Sequence, residues 1–113
     1  MADCLFCNMA SGKTPVDKLY EDDLMFAIRD IHPQAPVHFM VIPKEHIPSA
    51  KELRAEHGSL LARLFTTAAE VAREEGVAER GYRLVINVGP DAGMVIHHLH
   101  LHCLGGRSLG SEG

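Results

Sequence analysis

Apolar positions along this chain follow two periods. Alternating or short continuous apolar runs occupy both ends, and a single stretch with helical spacing lies between them. The first ten residues, MADCLFCNMA, are compatible with a short helix ending near Ser11-Gly12, where glycine makes a natural stop. Leu19 to Asp30 reads as two short extended runs around the acidic turn Glu21-Asp22-Asp23. Pro36 to Pro43, PVHFMVIP, is a strand of β-branched and aromatic residues bounded by prolines. From about Lys51 to Glu75 the period becomes 3.6. Leu53, Leu60, Leu61, Leu64, Phe65, Ala68 and Val71 recur on one face, Arg63, Glu70, Arg73 and Glu74 form a solvated face, and Gly76 closes the helix. Tyr82 to Val88 is a further strand, Gly89 to Gly93 a loop, and about Val95 to Leu104 the last strand, ended by Gly105-Gly106. Clustered strands with short connections around one long helix predict an α+β fold with a largely antiparallel sheet.

At 113 residues the chain fits one domain. So small a core gains from a dimer or a metal. A net charge of -4 argues against a general nucleic-acid binder, which needs a basic face. No apolar run has the length of a transmembrane helix, and the N-terminus lacks the basic start of a secretory signal. Three cysteines, two of them in Cys4-x-x-Cys7, fit reduced thiols in a cytoplasmic protein better than a disulfide scaffold.

The string HHLHLH, His97 to His102, carries the chemistry. On a strand His98, His100 and His102 share one face, while Leu99, Leu101 and Cys103 point into a core. One histidine is ordinarily incidental; three in a row backed by apolar alternation are not. They do not make one metal box. Outer members of such a row lie more than about 12 Å apart, whereas Zn–N bonds are about 2 Å. A metal would take one or two of them and recruit others. Alternatively the row is catalytic, one imidazole attacking while a neighbour donates to developing charge. Cys4 and Cys7 are either a redox pair or half of a tetrahedral zinc site. The βαβ context of thioredoxin-like pairs is absent. Cys103 reads as a buried small apolar residue, and His97 faces away from the row. His32 and His57 have no assigned role.

His98-Leu99-His100-Leu101-His102 resembles the His-x-His-x-His signature of the histidine triad (HIT) superfamily. EDDLMFAIRDIHPQAPVHFMVIPKEHI, GYRLVINVGPDAGM and HLHLHCLGG resemble its Hint branch, the histidine triad nucleotide-binding proteins. The likeness spans roughly Cys4 to Arg107. It implies a single HIT domain, core about 4–107 with a flexible tail at 108–113. It further implies about five antiparallel strands with one long and one short helix, the sheet extended across a homodimer. The implied activity is hydrolysis of nucleoside 5′-phosphoramidates of adenosine or guanosine through a nucleotidyl-histidine. His100 is then the nucleophile, His102 the charge stabiliser and proton donor, His38 a partner that sets protonation. The His98 carbonyl orients the nucleophile. Asp30 corresponds to the acid on the ribose hydroxyls, a good double acceptor for a diol. Phe6, Met9, Ile28 and Ile31 correspond to the clamp around the base, Asn87 to an asparagine beside the site. Gly93, Met94 and Val95 correspond to the end of a phosphate-facing loop, where a glycine-rich turn admits an anion to backbone N–H groups. The implied ligand is a purine nucleotide. No cofactor is needed for catalysis, but the resemblance implies structural zinc on Cys4, Cys7, His46 and His98.

Two features depart from the pattern. Most Hint proteins carry Gly-Gln-Ser or Gly-Gln-Glu where this chain has Gly93-Met94-Val95, which removes donors worth about 1–3 kcal/mol if they act in the transition state. The Trp-Pro-Pro-type ending is also absent. A weaker or differently selective hydrolase is the expectation. A dinucleoside polyphosphate hydrolase, as in the Fhit branch, and a nucleotide-binding module with weak catalysis are the alternatives.

Overall fold

The computed structural model describes residues 4–112. Helix α1 (Leu5–Ala10) is followed by strands β1 (Tyr20–Glu21), β2 (Met25–Arg29) and β3 (Val37–Pro43). The long helix α2 (Gly58–Glu74) then leads to β4 (Tyr82–Val85) and β5 (Leu101–Gly105). The sheet is antiparallel throughout, in the order β1-β2-β3-β5-β4. Inserting the last strand between β3 and β4 places His102 opposite Met40 and Val85, in the middle of the sheet.

Alternation divides the core into two layers. Met25, Ala27, Phe39, Val41, Leu101 and Cys103 face α2, which buries Leu64, Ala68, Val71 and Ala72 against them. Their intervening neighbours Phe26, Ile28, Met40 and Ile42 face the other way and pack on Phe6 of α1. The triad therefore lies on the α1 side, and the long helix is its support. Gly106 (φ 96°) turns the chain out of β5 against Pro36, where an added Cβ would meet the proline ring at 3.0 Å.

Three boundaries differ from the sequence reading. The long helix starts at Gly58, not Lys51: Ser49 and Arg54 are extended, each opening a single 3₁₀ turn, and Leu53 is extended between them. Leu53 still packs on the core, so its hydrophobic signal was genuine while its backbone is not helical. The fourth strand ends at Val85 rather than Val88, its last pairing being with His102 of β5. The last strand begins at Leu101 rather than Val95. His98 and His100 thus precede it on irregular backbone, tied instead by Leu99 N–H to the Ile47 carbonyl at 2.7 Å. Period two survives in the side chains: Leu99, Leu101 and Cys103 are buried on the α2 side.

Candidate active site

The opposite side of that segment faces a cleft of about 330 Å³ between α1, the end of β2 and the loop before His98. Phe6, Met9 and Ile28 line it, as do Asp30, Asn87, His100 and His102. Gly93, Met94, Val95 and Ile31 complete the predicted nucleotide-binding set, whereas His38 and His98 do not line the cleft. Ile31 and Val95 are 86% and 85% exposed, so they stand at the rim, whereas Met94 is buried in the wall. The loop closes on itself: the amides of Ala92, Gly93 and Met94 donate to the carbonyls of Gly89 and Pro90. Those three N–H groups are therefore committed within the turn. Sequence reasoning missed Leu5, Arg29, His32, Met40 and Ile96 along the cleft. Met40 was accessible, two residues beyond His38 on the same strand face; Leu5 and Ile96 carried no signal.

His100 and His38 each meet a backbone group that dictates which nitrogen holds the proton, and His102 takes its sense from His38. His100 Nδ1 lies 2.7 Å from the His98 carbonyl. A carbonyl only accepts, so Nδ1 carries the hydrogen and Nε2 keeps its lone pair. For His38 the sense is reversed. The Gln34 amide donates to its Nδ1 at 3.0 Å, which leaves the hydrogen on Nε2. That Nε2–H donates to His102 Nδ1 at 2.9 Å, which in turn places the His102 proton on Nε2. Asp30 is held by the His32 amide on Oδ1 at 2.8 Å, and its Oδ2 lies 3.5 Å from His38 Nε2. Burial holds His38 and His100 below the ordinary imidazole range. Burial, with the neighbouring imidazoles His100 and His38, takes His102 down to about 4 against the opposing charge of Asp30. The row is neutral at pH 7, with an unprotonated nitrogen on His100 and an N–H on His102, rings 4.9 Å apart.

A second cluster lies beneath α1. His98 is fully buried, and its Nδ1 is 3.2 Å from Cys4 Sγ, 3.6 Å from Cys7 Sγ and 3.1 Å from His46 Nδ1. Cys7 Sγ is 3.3 Å from His46 Nδ1. A tetrahedral zinc with ordinary bonds sets its nitrogens about 3.3 Å apart and nitrogen from sulfur about 3.5 Å. These four separations are close to that cage, and all four donor atoms lie within 4.8 Å of one another. His98 Nε2 donates to the Pro43 carbonyl at 2.7 Å, leaving Nδ1 as a lone-pair ligand, the usual outer-sphere support of a metal-bound histidine. Asp30, His38 and His102 also bring three donor atoms together. There the second nitrogen of His38 faces a donor, the Gln34 amide, so binding a metal at Nε2 would require an imidazolate. Among the described residues, the Cys4, Cys7, His46, His98 set is the better suited, with the Pro43 carbonyl behind His98.

The model of the HIT domain matches residues 11–109. The chain belongs to the HIT domain family. Among relatives of this HIT domain is the purine nucleoside phosphoramidase of Escherichia coli K12, 45% identical over 106 residues, covering 94% of this chain and 89% of that protein. A HIT family hydrolase from Clostridium thermocellum superposes with a TM-score of 0.95 at 42% identity, covering 99% of this chain and 97% of that one. A Zn-bound histidine triad family protein from Mycobacterium smegmatis has a TM-score of 0.78 at 32% identity, covering 94% and 76%. The fold is the HIT fold, and the domain is of hydrolase lineage.

Proposed function

We propose that this HIT domain hydrolyses nucleoside 5′-phosphoramidates through a nucleotidyl-His100 intermediate. The observation that carries the reading is the His98 carbonyl on His100 Nδ1, which leaves the other nitrogen as a lone pair in a nucleotide-sized cleft. His100 Nε2 attacks the α-phosphorus; the new N–P bond forms as the bond to the leaving amine breaks. The proton held at His102 Nε2 stabilises charge on the phosphoryl oxygens and passes to the departing amine. Water then attacks phosphorus, releases the mononucleotide from His100 and returns a proton to His102. Asp30, fixed by the His32 amide, accepts from the ribose hydroxyls. Phe6, Met9 and Ile28 flank a purine base, with Ile31 at its edge.

Zinc on Cys4, Cys7, His46 and His98 is part of this reading, and so is a homodimer. The cage distances and the donor chemistry support the metal. When bound it supplies a structural cross-link, because four protein ligands leave no open position for chemistry. Two features support the dimer: β4 is an edge strand, and Phe65 on α2 is 40% exposed. No helix among the described residues is long and apolar enough to cross a membrane.

The test is turnover of a fluorogenic adenosine phosphoramidate by the wild type and by His100→Ala. The expected loss in kcat is at least about a thousandfold. Tight AMP binding without wild-type turnover overturns the hydrolase in favour of a binding module. Preferred cleavage of diadenosine polyphosphates overturns the substrate class.

A further inference from the structure

Residue 98 and helix α1 each belong to two sites. The His98 side chain is a member of the Cys4, Cys7, His46 cluster, and its carbonyl holds the nucleophile. Helix α1 begins at that cluster: Cys4 is its N-cap, accepting from the Cys7 amide at 3.4 Å. The same helix presents Leu5, Phe6 and Met9 to the cleft. Phe6 packs edge-on against His98 and His100, with ring centres 5.7 and 5.2 Å apart.

Resting on the nucleotide reading above, we infer that Cys4, Cys7 and His46 are positioning residues for nucleotide recognition, acting through α1 when they hold a metal. Six residues are too few for a helix to persist on propensity, since isolated helices below about 12 residues are marginal. Two anchors hold α1 in place. Burial of Phe6 against Phe26, Ile28, Met40 and Ile42, with Met9 and Ala10 packed behind it, holds one face of the helix. Cys4 and Cys7, when they hold a metal, fix its N-terminal end. Without a metal, two sulfurs and two imidazole nitrogens at 3.1–3.6 Å have only weak, partly repulsive contacts, and α1 is left with the apolar anchor alone. The α2-side core contains no α1 residue, so the loss stays local. The nucleophile is less affected, because His98 Nε2 remains on Pro43 and Leu99 N–H on Ile47. The effect therefore falls on nucleotide affinity more than on the chemical step.

The test compares zinc-loaded protein with protein stripped by a chelator, following AMP affinity by calorimetry and amide exchange in α1. Metal removal is expected to weaken AMP binding roughly tenfold, the factor by which the docked form of α1 is depopulated. Exchange at residues 6–10 accelerates while that of α2 does not. In turnover, KM rises and kcat changes less than about threefold. Cys4→Ser separates capping from ligation, since serine is a strong N-cap but a poor zinc ligand. It is expected to behave as stripped protein, and Cys4→Asp, which can both cap and ligate, to recover part of the affinity. Equal AMP affinity and equal α1 exchange with and without zinc overturn the inference. Unfolding of the whole chain on stripping overturns it too, because the effect is then global. Failure of the zinc-loaded protein to bind AMP overturns the nucleotide reading instead, and α1 exchange still decides whether the metal orders the helix.

Discussion

Two clusters of titratable side chains lie on the same side of one sheet, and they have opposite uses. Cys4, Cys7, His46 and His98 turn lone pairs toward a common centre. Asp30, His38 and His102 line up donors and acceptors in a chain that ends in the cleft. Histidine content does not separate them, for each contains two imidazoles. The difference is the main-chain group behind one ring of each: Pro43 offers a carbonyl to His98, and Gln34 offers an amide to His38. A carbonyl behind the ring frees the opposite nitrogen as a ligand; an amide behind it makes the opposite nitrogen a donor. One cluster is thereby suited to a metal and the other to moving a proton.

The largest test of that contrast is His98→Ala, which strikes the metal cluster and leaves the carbonyl on His100. It removes one donor and leaves the buried Pro43 carbonyl without its partner, a combined cost of about 3 kcal/mol in urea denaturation. Zinc content should fall well below one per chain. A fully zinc-loaded variant would break the assignment of ligands.

Next is His38→Ala, aimed only at the proton chain. Turnover is expected to fall about a hundredfold, with zinc content unchanged. Equal loss of zinc and activity would merge the two clusters into one.

A smaller effect follows from pH. His102 has a folded value of about 4, below the 6.5 of a free imidazole. The unfolded chain therefore takes up that proton more readily than the folded one. The stabilisation is fully present above about pH 6.5 and is lost as pH falls toward about 4. Urea midpoints at pH 7 and pH 5 should differ more for the wild type than for His102→Gln. An identical pH response would show that the ring is not buried as a neutral group.

The smallest effect belongs to Cys103→Ala. This thiol is fully buried among apolar residues and pushed up to about 12 by that burial, so it neither ionises nor ligates. The substitution should cost about 1 kcal/mol and leave zinc content and turnover as they were. Loss of metal here would require a ligand set other than the four side chains under α1.

Much of this was legible in the chain. The strand PVHFMVIP, the helical period after Gly58 and the turns at Gly12 and Gly76 are local patterns, and the fold reproduces them. Where the reading failed, tertiary contacts overrode local ones. Leu53 continues the hydrophobic period but not the helix, because it reaches the core from an extended link. Val95 to His100 continues the alternation but not the strand, because its backbone partner is the Ile47 carbonyl rather than a neighbouring strand. Ile31, expected at the base clamp, and Val95, expected on the phosphate-facing loop, both line the cleft at its exposed rim.

By itself the sequence determined which side chains share a face, since period two and period 3.6 are properties of the backbone alone. It thereby placed His98, His100 and His102 in one row and Leu99 and Leu101 behind them. Only the tertiary structure decided what each imidazole is for. The Pro43 carbonyl is 55 positions from His98, and His38 is 64 from His102. Those distances in sequence close only when β3 and β5 pair. A ring's tautomer follows from the partner it meets there, and no local pattern encodes that partner.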